Sequence, residues 1–84
     1  MAYKNLKHRL RMKYGSKCML CGRKLPLKGT TFHHILPLSR GGKSTEENGS
    51  LLCKECQSII HLFSYEEEGY QKLTKRILKN KRGE

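Results

Sequence analysis

Apolar residues recur at helical spacing at both ends of the chain and cluster in short extended runs between them. Tyr3, Leu6, Leu10 and Tyr14 form one stripe, with Lys4, Lys7, His8, Arg9, Arg11 and Lys13 on the other faces. That pattern predicts an amphipathic basic helix over residues 3–14, ended by Gly15, with His8 at its surface. Lys24 to Leu27 predict a short extended edge broken by Pro26, and Lys28-Gly29 a turn. Thr30 to Leu36 is rich in β-branched and aromatic residues, so it predicts a strand that Pro37 ends. Residues 37–47 read as a polar loop reversing at Gly41-Gly42, and Ser44 with Glu47 has the spacing of a capping box for one helical turn. Ser50 to Leu52 predicts the returning strand. A helix is then expected over residues 53–63, with Ile59, Ile60 and Phe63 toward the core and Gln57 and His61 one turn apart on a shared face. Ser64 and Glu67 signal another cap, opening a last helix over residues 65–80 with the stripe Tyr70, Leu73 and Ile77. Its acidic start, Glu66 to Glu68, and basic end, Lys75, Arg76 and Lys79, both suit the helix dipole. The tail, residues 81–84, is expected to fray.

The fold class is therefore α+β, in one domain spanning 1–84 with its core at 18–63. A chain of 84 residues buries only roughly 60 % of its unfolded surface. With 36 % hydrophobic residues and no Trp, such a core calls for a staple, and four cysteines are present. The first residues are charged and lack the apolar stretch of a secretory leader. No apolar run approaches the roughly 20 residues that span a bilayer. An intracellular, cytoplasmic setting is expected, where paired cysteines favour metal over disulfides.

Charge narrows the partner. Eighteen Lys and Arg against seven Asp and Glu give a formal net charge of +11. That balance points to a polyanion, chiefly nucleic acid. A membrane surface is disfavoured, because no segment pairs a basic face with a wide apolar one.

Cys18/Cys21 and Cys53/Cys56 make two C-x-x-C pairs, and tetrahedral Zn²⁺ takes four thiolates. Gly22 after the first pair allows the positive φ of a tight knuckle. Such a site is closed, hence structural, and its binding energy becomes folding energy. Disulfides or free thiols are the alternative. The separation between the pairs exceeds that of a minimal zinc ribbon, so a functional insert lies between them. It holds His33 and His34, which on a strand point to opposite faces. One imidazole can ligate a metal while the other accepts a proton, with His61 approaching from the helix. Histidines at the surface or near the zinc, without chemistry, remain the other reading of the spacing.

Taken together, Cys18-x-x-Cys21, His33-His34-Ile35-Leu36-Pro37-Leu38-Ser39-x-Gly41-Gly42, Asn48 and Leu51-Leu52-Cys53-x-x-Cys56 resemble the HNH endonuclease family, over Cys18 to His61. The resemblance implies a ββα-metal finger, in which two strands and a helix clasp one divalent ion, with an added four-cysteine zinc site. It implies that His33 is a metal ligand, that His34 is the general base activating water against the scissile phosphate, and that Asn48 braces the loop orienting that base. The motif's last histidine normally follows the second cysteine pair directly, and here Gln57 stands there. In the colicin-like branch a further histidine lies one turn later, which matches His61. The resemblance thus implies a catalytic metal held by His33 and His61 with Gln57 beside them. The ion that the resemblance implies is Mg²⁺, Mn²⁺, Ni²⁺ or Zn²⁺. It implies DNA as substrate and partner, and Arg40 and Lys43 beside the glycine turn are candidate backbone contacts, with solvated loop charges as the other reading.

Two other classes explain less. A non-catalytic zinc-ribbon nucleic-acid binder, or a structural protein of a nucleoprotein particle, accounts for the cysteines and the charge. Neither accounts for His33, His34, Asn48 and the Gly-Gly loop.

Overall fold

The computed structural model describes residues 3–26 and 29–83, with side chains from residue 5 onward. Tyr3 in the expected first stripe, Leu27 of the expected edge, Lys28 of the turn and Glu84 of the tail have side chains or backbone outside that description.

Helix α1, Tyr3–Tyr14, seats Leu6 and Leu10 in the core. It stops at Gly15, which takes φ +88° and donates its N–H to the Arg11 carbonyl at 2.8 Å. The chain then makes the cysteine knuckle, closed by Cys18 N–H to Arg23 O and Gly22 N–H to Cys18 O. Strands β1, Thr30–His34, and β2, Gly49–Cys53, pair antiparallel with Thr30 opposite Cys53 and His34 opposite Gly49. All five residues of β2 are buried, because the knuckle and α1 cover one face and a helix covers the other. The Met19 N–H bonds the Leu51 carbonyl at 2.8 Å, locking the knuckle to this strand.

Helix α2, Lys54–Ile60, follows without a loop. Cys53 is its N-cap, and the sulfur accepts the Cys56 N–H at 3.4 Å. Helix α3, Glu68–Lys81, packs Tyr70, Thr74 and Ile77 inward. Leu10, Leu51, Leu52, Ile60 and Ile77 are fully buried where these elements meet. The expected α+β architecture, a two-stranded sheet with a cysteine cluster and flanking helices, is what the chain adopts.

Several boundaries differ from expectation. The first strand stops at His34, two residues early: the Ile35 N–H still reaches the Asn48 carbonyl opposite it at 2.8 Å, but the Asn48 side chain captures the Leu36 N–H at 2.7 Å and ends the pairing. Residues 44–47 form a bend and a turn and not a helical turn, and the Ser44 hydroxyl bonds His34. The second helix ends at Ile60, not Phe63. Beyond it, Leu62 and Phe63 N–H groups bond three residues back, tightening the chain into a turn. Ile59, within the helix, is 47 % exposed and not a core residue. The last helix begins at Glu68 and not Tyr65. Glu67 does reach back to the Ser64 N–H at 2.7 Å, but the Gln71 amide captures the Tyr65 carbonyl at 2.6 Å and holds residues 64–67 as a turn. No helix among the described residues is long and apolar enough to cross a membrane.

Candidate metal centres

The two cysteine pairs arrive from opposite directions. Cys18 and Cys21 come from the knuckle, Cys53 and Cys56 from the junction of β2 and α2, and all four sulfurs lie within 4.8 Å of one another. Cys21 and Cys53 sulfurs stand 3.8 Å apart. A tetrahedron with Zn–S near 2.3 Å has an edge of about 3.8 Å, whereas a disulfide needs about 2.05 Å. None of the four is in a disulfide, so that alternative falls and the donor set fits zinc. Burial opposes thiolate at Cys18, yet the N–H groups of Cys21, Cys53 and Leu20 outweigh it and bring the thiol down to about 7. At Cys53 and Cys56 burial wins and pushes both thiols up, leaving a site that a divalent cation would complete.

A second cluster lies on the far side of the hairpin's helix. His33, His34, Gln57, His61 and Tyr70 line a cavity of about 180 Å³, with Phe32, Pro37 and Leu38 completing the wall. His33 is 2 % exposed. Burial, then the neighbouring His61, push its imidazole down to about 4, so it is neutral with a lone pair to give. The His33 and His61 rings stand 5.7 Å apart and nearly perpendicular. Gln57 and His61 sit one turn apart on α2 and at its C-cap. The Gln57 Nε2 donates weakly to the Phe32 carbonyl at 3.4 Å. Its Oε1 is buried without a hydrogen-bond partner, although the amide lies close enough to His33 to favour that ring's protonated form slightly. An orphaned amide oxygen beside two imidazoles fits a cation better than it fits a dry cavity. Among the described residues, however, the cysteines alone gather three or more His, Cys, Asp or Glu ligand atoms. This cavity thus offers an open, partial ligand set, unlike the closed quartet.

His34 faces the loop. Its Nε2 shares a hydrogen bond with the Ser44 hydroxyl at 3.1 Å, and its ring meets Phe32 edge-on. Burial lowers its pKa below the ordinary 6.5, which keeps the ring unprotonated at neutral pH. Asn48 holds the loop closed with its whole amide. The Oδ1 accepts the Leu36 N–H at 2.7 Å, and Nδ2 donates to Leu36 O at 3.0 Å and Lys43 O at 2.9 Å. The approach is so close that a Cβ on Gly42 would collide with the Leu36 carbonyl, while Gly41 takes φ +86° to make the reversal.

Of the two loop cations, Arg40 is engaged: its guanidinium pairs with Glu66 and lies 5.1 Å over the Tyr65 ring. Lys43 is exposed. Sequence reasoning assigned Tyr70 to a core stripe and Ser44 to a cap, missing that both touch the histidines. The Tyr70 hydroxyl lies 3.5 Å from His33 Nε2 and from the Ile35 carbonyl. Burial raises its pKa, so it stays a neutral hydroxyl. A buried tyrosine needs a partner for its hydroxyl, and that need was the available signal.

In comparison with known proteins, the model of the HNH endonuclease family matches residues 18–62, more than half of the chain. No curated protein matches it.

Proposed function

The chain belongs to the HNH endonuclease family, and on that premise we propose that it is a metal-dependent endonuclease hydrolysing DNA phosphodiester bonds. The observation that carries the reading is the cavity where His33, His34, Gln57 and His61 meet, with the buried, unpartnered oxygen of Gln57 in its wall. His34 takes the proton from the attacking water, for which its lowered pKa suits it. Ser44 fixes the direction of that ring, and Asn48 keeps the loop carrying Ser44 in place. His33 and His61, with Gln57 beside them, would hold one divalent ion. When bound, that ion supplies charge stabilisation at the phosphorane and the leaving oxygen. Tyr70 steadies the buried His33 ring from behind. We assign Lys43 to the DNA backbone; Arg40 joins it only by leaving Glu66. The cysteine quartet would hold a structural zinc.

Plasmid cleavage tests this directly. The wild type should nick or cut DNA only with an added divalent ion, and His34→Ala should lose on the order of 10²- to 10⁴-fold in rate, the usual contribution of a general base. DNA binding without cleavage under every metal would leave the chain a non-catalytic zinc-bearing binder.

A further inference from the structure

Not all of the chain's positive charge faces outward. Lys7 donates to the Thr30 carbonyl and Arg11 to the Thr30 hydroxyl, Arg9 pairs with Glu46, and Lys13 lies over the Tyr14 ring. Each Lys and Arg described along α1 thus has a partner within the fold, although Arg9 and Lys13 stay exposed. Helix α3 is arranged differently. Lys72, Lys75, Arg76 and Lys79 recur at three- and four-residue spacing, all exposed, on the face opposite Tyr70, Thr74 and Ile77. Lys72 is paired with Glu68, while Lys75, Arg76 and Lys79 have no acidic partner among the described residues.

The course of α3 gives this ridge a direction. Near its start Tyr70 lines the histidine cavity, and at its end the Asn80 amide bonds the Met19 carbonyl in the knuckle at 2.6 Å. Arg76 and Lys79 also wall an open groove of about 410 Å³ against Leu20, Cys21 and Gly22. From Lys72 to Lys79 the ridge spans about 10 Å, at 1.5 Å per residue. Successive phosphates of one DNA strand advance about 3.4 Å each along the duplex axis, so a ridge of this length can meet more than one of them.

We infer that the exposed face of α3 is a backbone-tracking surface for duplex DNA, with Lys75, Arg76 and Lys79 contacting phosphates away from the scissile one. The inference rests on the nuclease reading for its substrate, but not on catalysis. Phosphate contacts of this kind position the duplex without reading its sequence. They therefore strengthen binding uniformly across sequences.

Binding of a duplex oligonucleotide is measured by anisotropy across a salt series, in a His34→Ala background that prevents cutting. Replacing Lys75, Arg76 and Lys79 together by Gln should reduce the slope of log K against log salt by about 2 to 3, at roughly 0.9 per lost contact. A control, Lys24→Gln with Lys54→Gln, removes charge from the opposite flank of the knuckle and should change the slope by less than about 1. Equal loss per charge in both variants, or a triple variant that binds as its parent does, overturns the inference. The latter result would leave the ridge to an acidic protein. Failure of the wild type to cleave DNA under any metal would sink the nuclease reading while leaving the salt-slope comparison intact.

Discussion

The Lys81 ammonium donates to the Gly49 carbonyl at 2.7 Å. The same nitrogen reaches the Glu46 carbonyl at 2.7 Å and the Glu47 carbonyl at 3.1 Å. One half-buried cation from the end of α3 therefore ties down the turn that carries Asn48 into β2. Burial lowers its pKa, though the nearby Glu47 and Glu46 carboxylates favour the charged form.

Replacing Lys81 with Met keeps the stem and removes the donor. Three carbonyls then lose a charged partner, and the loss should be about 2 kcal/mol, the scale of a hydrogen bond to a charged group. Urea denaturation of Lys81→Met and Lys81→Arg measures it, with Arg retaining part of the stability. A Met variant as stable as the parent would show the contact to be incidental.

The glycine pair makes a sharper geometric prediction. An alanine at Gly41 meets open space and carries only the strain of positive φ, about 1 kcal/mol. At Gly42 the added carbon strikes the Leu36 carbonyl and crowds the Asn48 amide, so the cost should reach about 3 kcal/mol. Thermal unfolding of the two variants ranks them. If Gly41→Ala is the worse, the tight packing of the loop is mistaken.

How much of this was visible beforehand depends on the range of the interaction. The cysteine pairs, the hairpin and the Gly-Gly reversal are written in local spacing, and the fold places them as expected. The start of the last helix was not, because Ser64 and Tyr65 are held by Glu67 and Gln71 reaching back across the turn. Lys7, Arg11 and Lys81 look like solvated charges in the sequence, yet each ends on a carbonyl or hydroxyl 19 or more positions away. Long side chains that fold over a hairpin leave no periodic mark. The convergence of Tyr70 on His33, 37 positions apart, is equally silent until α3 is packed.

Zinc should be countable. Elemental analysis of the folded protein is expected to give at least one zinc per chain, and Cys53→Ser should lose the one held by the cysteines. That variant also loses the sulfur that accepts the Cys56 N–H at the start of α2, so near-UV circular dichroism should collapse along with the metal. Native, folded protein without zinc would contradict the assignment.

The pH profile follows from His34. Its imidazole must be unprotonated to act as a base, and burial holds its pKa below 6.5. Activity should therefore be at its plateau above pH 6.5 and fall as pH drops through that lowered value. The midpoint of the acid limb in kcat/KM is the measurement. An acid limb centred above the ordinary histidine value would mean that another group titrates.

The last prediction concerns Gln57, where this chain departs from the family motif. Gln57 and His61 both line the cavity, but they offer a transition metal unequal donors. Imidazole is the stronger ligand for such an ion, and an amide oxygen the weaker. His61→Ala should therefore weaken catalytic metal binding more than Gln57→Ala does. The drop should be on the order of ten- to a hundredfold, a range that loss of even a supporting partner can cause. Gln57→His should raise affinity for Mn²⁺, Ni²⁺ or Zn²⁺ by adding a nitrogen, and help Mg²⁺ little, since that ion prefers oxygen. Because the Gln57 oxygen is buried without a partner, Gln57→Leu should keep or raise thermal stability while lowering metal affinity. That opposition separates a ligand from a packing residue. Should Gln57→Ala abolish cleavage while His61→Ala leaves it intact under every metal, the helix ligand is position 57, and His61 is a bystander at the rim of the cavity.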